Sequence, residues 1–391
     1  MRDAYLVSAA RTPIGGFGGT LAALPATKLG SLALGAAVER AAVPVDAIEQ
    51  VIMGNVIAAG LGQAPARQAG LGAGIPSAHG ALTVNKVCGS GLMAVMLAAQ
   101  SIRLGDADLI AAGGMESMSR APYLLPGVRQ GHRLGPGPVL DAMILDGLWD
   151  PYHDFHMGSA AERCAVERGI TREAQDAFAV TSLERARSAA TNGAFAWELV
   201  PMAIATGKES RFVEADEAPA RADIERIARL KPAFREGGTV TAANSSSIAD
   251  GAAALVLMRR STAERRGLLP LATIVAHATH SQQPAWYTTA PAGALRKVLE
   301  KARWTAGDVD IYEINEAFAV VTMAAMKELA LPHERVNVNG GACALGHPIG
   351  ASGARIVATL VGALRRYGLK RGVATLCIGG GEAVALAIEH A

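Results

Sequence analysis

Apolar residues recur with two spacings along the first third of the chain. Residues 29–42 and the almost wholly apolar residues 92–104 read as helices, while residues 51–53 and 108–112 read as short strands. That alternation predicts a layered sheet with helices on its faces, and a helix apolar on every side belongs in the interior. Residues 119–249 break the pattern. A Gly/Pro-rich loop over 131–138 is followed by helix-like runs over 158–168 and 172–192, the second with Thr171 as N-cap, and then by a charged irregular stretch over 208–238. An apolar strand resumes over 250–258, and the alternation returns over 271–391. The expected organisation is an α/β chain of two halves, residues 1–118 plus 250–270 and residues 271–391, with residues 119–249 inserted as a loop domain.

The two halves resemble each other. Ala37-Val38-Glu39-Arg40-Ala41 matches Val298-Leu299-Glu300-Lys301-Ala302, and each precedes a strand that leads to an asparagine, Asn55 or Asn315. Gly89-Ser90-Gly91 and Ala351-Ser352-Gly353 each open an apolar helix, and each of those helices is followed by a strand expected to end in Gly-Gly, Gly113-Gly114 or Gly379-Gly380. Chance likeness of Ala/Gly-rich helices competes with a true repeat about a pseudo-twofold. On the repeat reading, Cys88 and His347 occupy nearly equivalent places, each just before a helix that starts in a Gly/Ser turn. Two such termini meeting at the interface would bring a thiol and an imidazole together.

Composition narrows the function classes. Half of the 391 residues are hydrophobic and only 18% are charged, which excludes a disordered chain. The net charge of +2 and the 4% aromatic content supply neither the field nor the stacking platforms that nucleic acid or an anionic membrane would need. Residues 91–114, the most apolar stretch, are interrupted by Arg103, Asp106 and Asp108, so no bilayer span is expected. The N-terminal residues lack a signal-peptide pattern. The four cysteines, Cys88, Cys164, Cys343 and Cys377, form no Cys-x-x-Cys and have no histidine at zinc spacing, so no metal site is expected. Reduced thiols in a cytoplasmic protein follow from that reading.

Four segments carry chemistry. Cys88-Gly89-Ser90-Gly91-Leu92 puts a cysteine at a helix N-terminus, where the dipole and free N–H groups favour thiolate; an inert buried cysteine is the alternative. His347, between Gly346 and Pro348 in a glycine-rich run from Asn339 to Gly353, is either presented to a cavity or held structurally in a turn. Cys377 ends a strand and is followed by Gly379-Gly380-Gly381, whose N–H groups can nest a developing oxyanion; core packing is the competing role. In Glu313-Ile314-Asn315-Glu316, Asn315 is suited to position a water or to donate to an oxyanion, and Glu316 to cap the next helix.

Together these segments resemble the thiolases over essentially the whole chain, with residues 7–15, 113–119 and 244–252 in support. The resemblance implies a five-layer α-β-α-β-α fold built from two repeated halves, with the loop domain over the active site. It implies that Cys88 is the acyl-accepting nucleophile, that His347 activates it, and that Cys377 exchanges the α-proton of a second substrate. Asn315 would hold a water that forms one oxyanion hole with His347, and the N–H groups of Cys88 and Gly379 would form the other. Ser246, His156 and Met157 match positions lining the pantetheine channel, Phe234 and Leu148 match positions near the CoA nucleotide, and Arg221 is the candidate base contact.

The implied reaction is reversible, ping-pong condensation of two acetyl-CoA molecules to acetoacetyl-CoA and CoA, with coenzyme A as substrate and neither metal nor tightly bound cofactor. A broader 3-ketoacyl-CoA thiolase of β-oxidation and a non-catalytic CoA- or lipid-binding relative are the alternatives. The implied assembly is a homotetramer, a dimer of dimers using the loop from Tyr123 to Asp141. The sequence departs from the family where Trp286-Tyr287 replaces a common Met-Gly, which places Tyr287 near the acyl end of the pocket. Residues 218–221 are one residue shorter than in the common biosynthetic form. Cys164 reads as packing, and Cys343 as near the site without being catalytic.

Overall fold

Every second side chain of the strand Ala249–Arg259 enters a different core. Ala252, Ala254, Val256 and Met258 face one apolar cluster, and Ala253, Leu255 and Leu257 face another. A strand buried on both faces reads as a continuous apolar run, which is how this segment reads in the sequence. The structure, a computed structural model, describes residues 3–206 and 209–391. Lys208, the first residue of the irregular stretch expected above, lies outside the described residues.

The elements that carry the fold are, in chain order, β1 (Ala4–Arg11), α1 (Ala26–Arg40), β2 (Gln50–Gly54), α2 (Pro65–Gly72), β3 (Gly80–Val84), α3 (Ser90–Leu104), β4 (Leu109–Ser117), α4 (Met157–Arg168), α5 (Arg172–Thr191), β5 (Ala249–Arg259), β6 (Ala272–Ser281), α6 (Ala290–Ala302), β7 (Ile311–Ile314), α7 (Ala319–Leu329), α8 (Ser352–Tyr367), β8 (Arg371–Ile378) and β9 (Glu382–His390). The strands run side by side in the order β7-β8-β9-β6-β1-β5-β4-β2-β3. Read inward from each edge to the β1/β6 seam, the two halves repeat: β2-β4-β5-β1 corresponds to β7-β8-β9-β6. The seam itself is short, with only Tyr5 opposite Thr273 and Leu6 opposite Ala272. The counterpart of β3 in the second half is reduced to a single parallel bridge between Tyr312 and Val336.

The cores define five layers. Helices α1 and α2 cover the outer face of the first half through Leu29, Leu34, Ala66 and Ala69. Helices α6 and α7 cover that of the second half through Leu295, Val298 and Ala325. Between the two sheet halves lie α3 and α8, packed against strand residues from both. Residues Val87–Leu104 are long and apolar enough to cross a membrane by length and composition; here they form the central core helix and its N-terminal approach.

Helices α3 and α8 start almost backbone to backbone. A Cβ on Gly353 would lie 2.2 Å from Leu92 N, and one on Gly91 would lie 2.8 Å from Ala354 N. Only glycine permits that approach. It is the device that delivers the residues preceding each helix to one place.

Several boundaries differ from the sequence reading. The expected strand 108–112 runs on to Ser117, so Gly113-Gly114 lies inside β4 instead of ending it. Its glycines serve close packing: a Cβ on Gly114 would lie 2.0 Å from Gly350 O. The stretch expected to be irregular carries a strand, Glu209–Val213, paired with Met202–Thr206 just ahead of it, and two short helices at Glu217–Arg221 and Ile224–Ile227. Thr171 does cap α5, accepting from Ala174 N at 3.2 Å.

Candidate active site

One cavity of about 340 Å³ is lined by Cys88, His347, Cys377 and Gly379, together with Ser246, His156, Met157, Leu148 and Phe234. Residues from both halves and from the 119–249 segment therefore share one pocket. Asn315 sits buried behind the wall, its Nδ2 3.5 Å from His347 Nε2. Arg221 is not in this cavity. It lies with Cys343 in an adjoining cleft that shares Ala242 and Ser247 with the cavity wall, and it is paired with Glu217 one helical turn away.

Cys88 is presented by a tight turn ahead of α3. Val87 has φ of +45°, a left-handed conformation that a β-branched residue adopts only under constraint. The constraint is visible: Val87 N donates to Asn85 Oδ1 at 3.0 Å, and Ser90 Oγ accepts from Lys86 N and donates to Val87 O at 2.6 Å. Burial pushes the Cys88 thiol up to about 11, against the stabilising pull of the Gly379 and Cys88 N–H groups facing the sulfur.

His347 is locked by its partners. Its N–H donates to Ser247 O at 2.9 Å, and its Nδ1 lies 2.5 Å from Ser352 Oγ. The Ser352 hydroxyl donates to Pro348 O at 3.0 Å, so its oxygen accepts from Nδ1–H. That assignment leaves a lone pair on Nε2. Burial first, and then the charge of Arg355, bring the imidazole down to about 3. The base is therefore neutral at rest.

Cys377 lies at the end of β8, before Gly380 and Gly381, whose φ values of +89° and +86° require glycine. Burial pushes its thiol well above the ordinary range, and the nearby Cys88 adds to the rise. The two sulfurs are close enough to feel each other, so both do not ionise together. Asn315 Oδ1 is buried with no hydrogen-bond partner among the described residues, which leaves it an open acceptor beside the imidazole.

Tyr287 also lines the cavity, buried, with its hydroxyl donating to Met157 O at 2.9 Å. Cys164 is fully buried outside the cavity lining. Glu316 does not cap α7, whose N-cap is Phe318. It is buried and accepts instead from Ser182 Oγ at 2.7 Å, Asn337 Nδ2 at 2.8 Å and Cys343 N at 3.1 Å. Its carboxylate thus fixes the loop leading to His347. Ser352 was legible in the sequence only as part of a helix-opening turn. The signal for its second role is a hydroxyl five residues after the histidine.

The domain family described as "Thiolase, N-terminal domain" matches residues 4–261, and that described as "Thiolase, C-terminal domain" matches residues 268–390. The chain belongs to the thiolase family. Acetyl-CoA acetyltransferase 2 of Arabidopsis thaliana is 53% identical over 391 residues, 99% of this chain and 97% of that protein. Acetyl-CoA acetyltransferase of Cupriavidus necator is 50% identical over 392 residues, 100% of each chain. The crystal structure of the Bacillus anthracis acetyl-CoA acetyltransferase superimposes with a TM-score of 0.98 at 42% identity, covering 100% of this chain and 99% of that one.

In this thiolase a neutral imidazole and a neutral thiol coexist between the two values of about 3 and about 11. Alkylation of Cys88 by iodoacetamide, read on the Cys88 peptide, is expected to be nearly flat from about pH 6 to about pH 8, because His347 is neutral throughout that window and takes the thiol proton as the sulfur attacks. An unassisted thiol with a raised pKa would instead gain about tenfold per pH unit. That slope is the expected profile of His347→Ala, and its appearance in the unmodified chain would refute the assignment.

Proposed function

We propose that the chain is an acetyl-CoA acetyltransferase, condensing two acetyl-CoA molecules to acetoacetyl-CoA and CoA and running in reverse as thiolysis. The observation that carries this reading is the pair of sulfurs beside one neutral imidazole in a single cavity. The printed names of relatives near 50% identity support it.

His347 Nε2 takes the Cys88 proton as the sulfur attacks the thioester carbonyl. The oxygen turns toward the N–H groups of Cys88 and Gly379, and CoA leaves with the proton, giving acetyl-Cys88. With Cys88 acylated, His347 Nε2 takes the Cys377 proton, and the resulting thiolate takes an α-proton from a second acetyl-CoA; the imidazolium later returns its proton to the departing Cys88 sulfur. The enolate oxygen is stabilised by the imidazole and by a water held on Asn315. The enolate carbon attacks the acetyl-Cys88 carbonyl, the carbon–sulfur bond breaks, and acetoacetyl-CoA forms as Cys88 is regenerated.

The pantetheine would run past Ser246, His156 and Met157, with Phe234 and Leu148 further out. The cleft holding Arg221 would take the nucleotide, since it meets the cavity wall at Ala242 and Ser247. Residues 119–249 would serve as the cover over this path. A homotetramer is part of the proposal: β3 is an unpaired edge that needs covering, and the hairpin beyond Tyr123 exposes Leu125 and Leu134. Four free thiols fit a reducing cytoplasm.

The test is direct. Incubation with acetyl-CoA is expected to leave an acetyl group on the Cys88 peptide, and acetoacetyl-CoA is expected to be cleaved when CoA is supplied. Absence of both would overturn the reading.

Acyl range is assigned to Tyr287, which lines the cavity near both sulfurs and whose hydroxyl is tied to Met157 O. Tyr287→Ala is expected to raise the kcat/KM ratio of 3-ketohexanoyl-CoA to acetoacetyl-CoA by about tenfold, the worth of one or two added methylenes in an apolar pocket. Tyr287→Phe keeps the ring and should leave the ratio within about twofold. An unchanged ratio in the alanine variant would put the chain-length limit elsewhere, and wild-type activity on long chains would favour the broader thiolase.

A further inference from the structure

Glu116 is a fully buried carboxylate on β4, a strand otherwise made of small and apolar residues ending in Ser117. Nothing in the reaction above uses it. Its Oε1 accepts from Asn55 Nδ2 at 2.8 Å and Ile57 N at 3.2 Å, and its Oε2 accepts from Val56 N at 3.0 Å and Gly350 N at 2.9 Å. All four neighbours are donors, so only the ionised carboxylate satisfies them together. Burial pushes the carboxyl up to about 7 against the pull of those backbone donors, and Asp250 adds to the rise. An ionised group held at that cost in the interior does more than fill space.

The four donors belong to two loops. Val56 and Ile57 follow β2 in the first half, while Gly350 lies three residues beyond His347 in the second. Ile349, next to Gly350, lines the cavity, and Val56, Ile57 and Ile349 pack in one cluster that Cys88 touches. Gly350 fits the carboxylate closely: a Cβ there would lie 2.6 Å from Glu116 Oε2.

We propose that Glu116 is a positioning residue, whose carboxylate ties the loop after β2 in the first half to the His347 loop of the second and so holds the imidazole against Cys88. This rests on the reading of Cys88 and His347 as nucleophile and base. It does not depend on which acyl-CoA is the substrate.

The experiment uses the full chain with Glu116→Gln, Gly350→Ala and the double variant. Glu116→Gln turns an acceptor into a donor facing an N–H, and Gly350→Ala pushes the same contact apart from the other side. Alkylation of Cys88 by iodoacetamide at about pH 7 is expected to slow by up to about 100-fold in each single variant, as a misplaced catalytic group requires. The profile should steepen toward about tenfold per pH unit, that of a thiol without its base. For acetoacetyl-CoA thiolysis kcat should fall in parallel, with KM for CoA within about threefold. The double variant should lose clearly less than the product of the two single losses, because both disturb the Glu116–Gly350 contact, while a Cβ at Gly350 also meets Met115 O and Asn55 Cα. Should Glu116→Gln not accumulate folded, Gly350→Ala carries the same test.

Variant profiles as flat as that of the unmodified chain, with kcat unchanged and only a lowered Tm, would overturn the proposal, as would additive losses in the double variant. If the wild type fails to cleave acetoacetyl-CoA yet the alkylation profiles shift as described, the substrate reading fails and the positioning role stands. If the wild type cleaves it and the profiles do not move, the positioning role alone fails.

Discussion

Cys88→Ala is expected to lose the acetyl adduct entirely and to lower thiolysis of acetoacetyl-CoA by about 10⁴-fold or more, with CoA binding within about threefold. The expectation follows from the chemistry of the cavity. No other group there is placed as Cys88 is: Cys377 shares the pocket but is buried at the end of β8, in one apolar cluster with Tyr287 and Met157, and has no helix N-terminus behind it. Cys88→Ser should be nearly as impaired. The resting imidazole, held down to about 3, is a weak base that suffices for a thiol and falls short for a hydroxyl. The measurement is steady-state thiolysis beside mass spectrometry of the acetyl-CoA-treated protein. Retained turnover in the alanine variant, with the acetyl group on another cysteine, would move the nucleophile.

The order of the two pKa values determines how that nucleophile works. A thiolate–imidazolium ion pair at rest needs an imidazole more basic than the thiolate. Here burial widens the ordinary gap in the other direction, with the imidazole near 3 and the thiol near 11. The proton therefore moves only as the acyl carbonyl arrives. Arg355 is the second cause of the low imidazole value, and it is itself buried beside Glu313 at 3.5 Å. Burial pushes Glu313 up to about 8, so the arginine's charge is incompletely offset and is felt at His347.

The repeat was legible because it is written in backbone constraints. Gly89-Ser90-Gly91 and Ala351-Ser352-Gly353 look alike because α3 and α8 must approach within backbone contact, and that contact brings Cys88 and His347 into one cavity. The layered sheet was legible for a related reason, since the run from Gly251 to Met258 is apolar throughout because both faces of that strand are covered, whereas the count of five layers came only from the family resemblance. What escaped the sequence is the polar scaffolding. Glu116, Glu316 and Ser352 act through partners far along the chain: Glu116 reaches Gly350, and Glu316 reaches Ser182. No local spacing encodes such pairs. Gly113-Gly114 misled for the opposite reason. Two glycines in a row suggest a turn, yet in β4 they make room for Ala253 and Gly350. Arg221 was placed by counting along a shortened stretch, and it falls in the neighbouring cleft.

Cys377→Ala is expected to split the reaction in two. Acetyl-CoA should still acylate Cys88, because the thiol, the imidazole and the Gly379 N–H are all untouched. Condensation should fall by about 10³-fold or more, the scale of a lost general base acting on a carbon acid. Thiolysis should fall with it, since in that direction the expelled enolate needs the proton that the Cys377 sulfur supplies. Two readouts separate the steps: the acetyl mass on the Cys88 peptide, and wash-in of deuterium at the α-carbon of acetyl-CoA in D2O. The first should survive and the second should vanish. The variant is a mild one structurally, for Cys377 is a small side chain at a strand end whose thiol is given no hydrogen-bond partner beyond its own backbone. If acylation disappeared along with condensation, Cys377 would belong to the first step as well. If condensation proceeded undiminished, the α-proton would have another acceptor, and the imidazoles that line the cavity, His347 first, would have to serve that step.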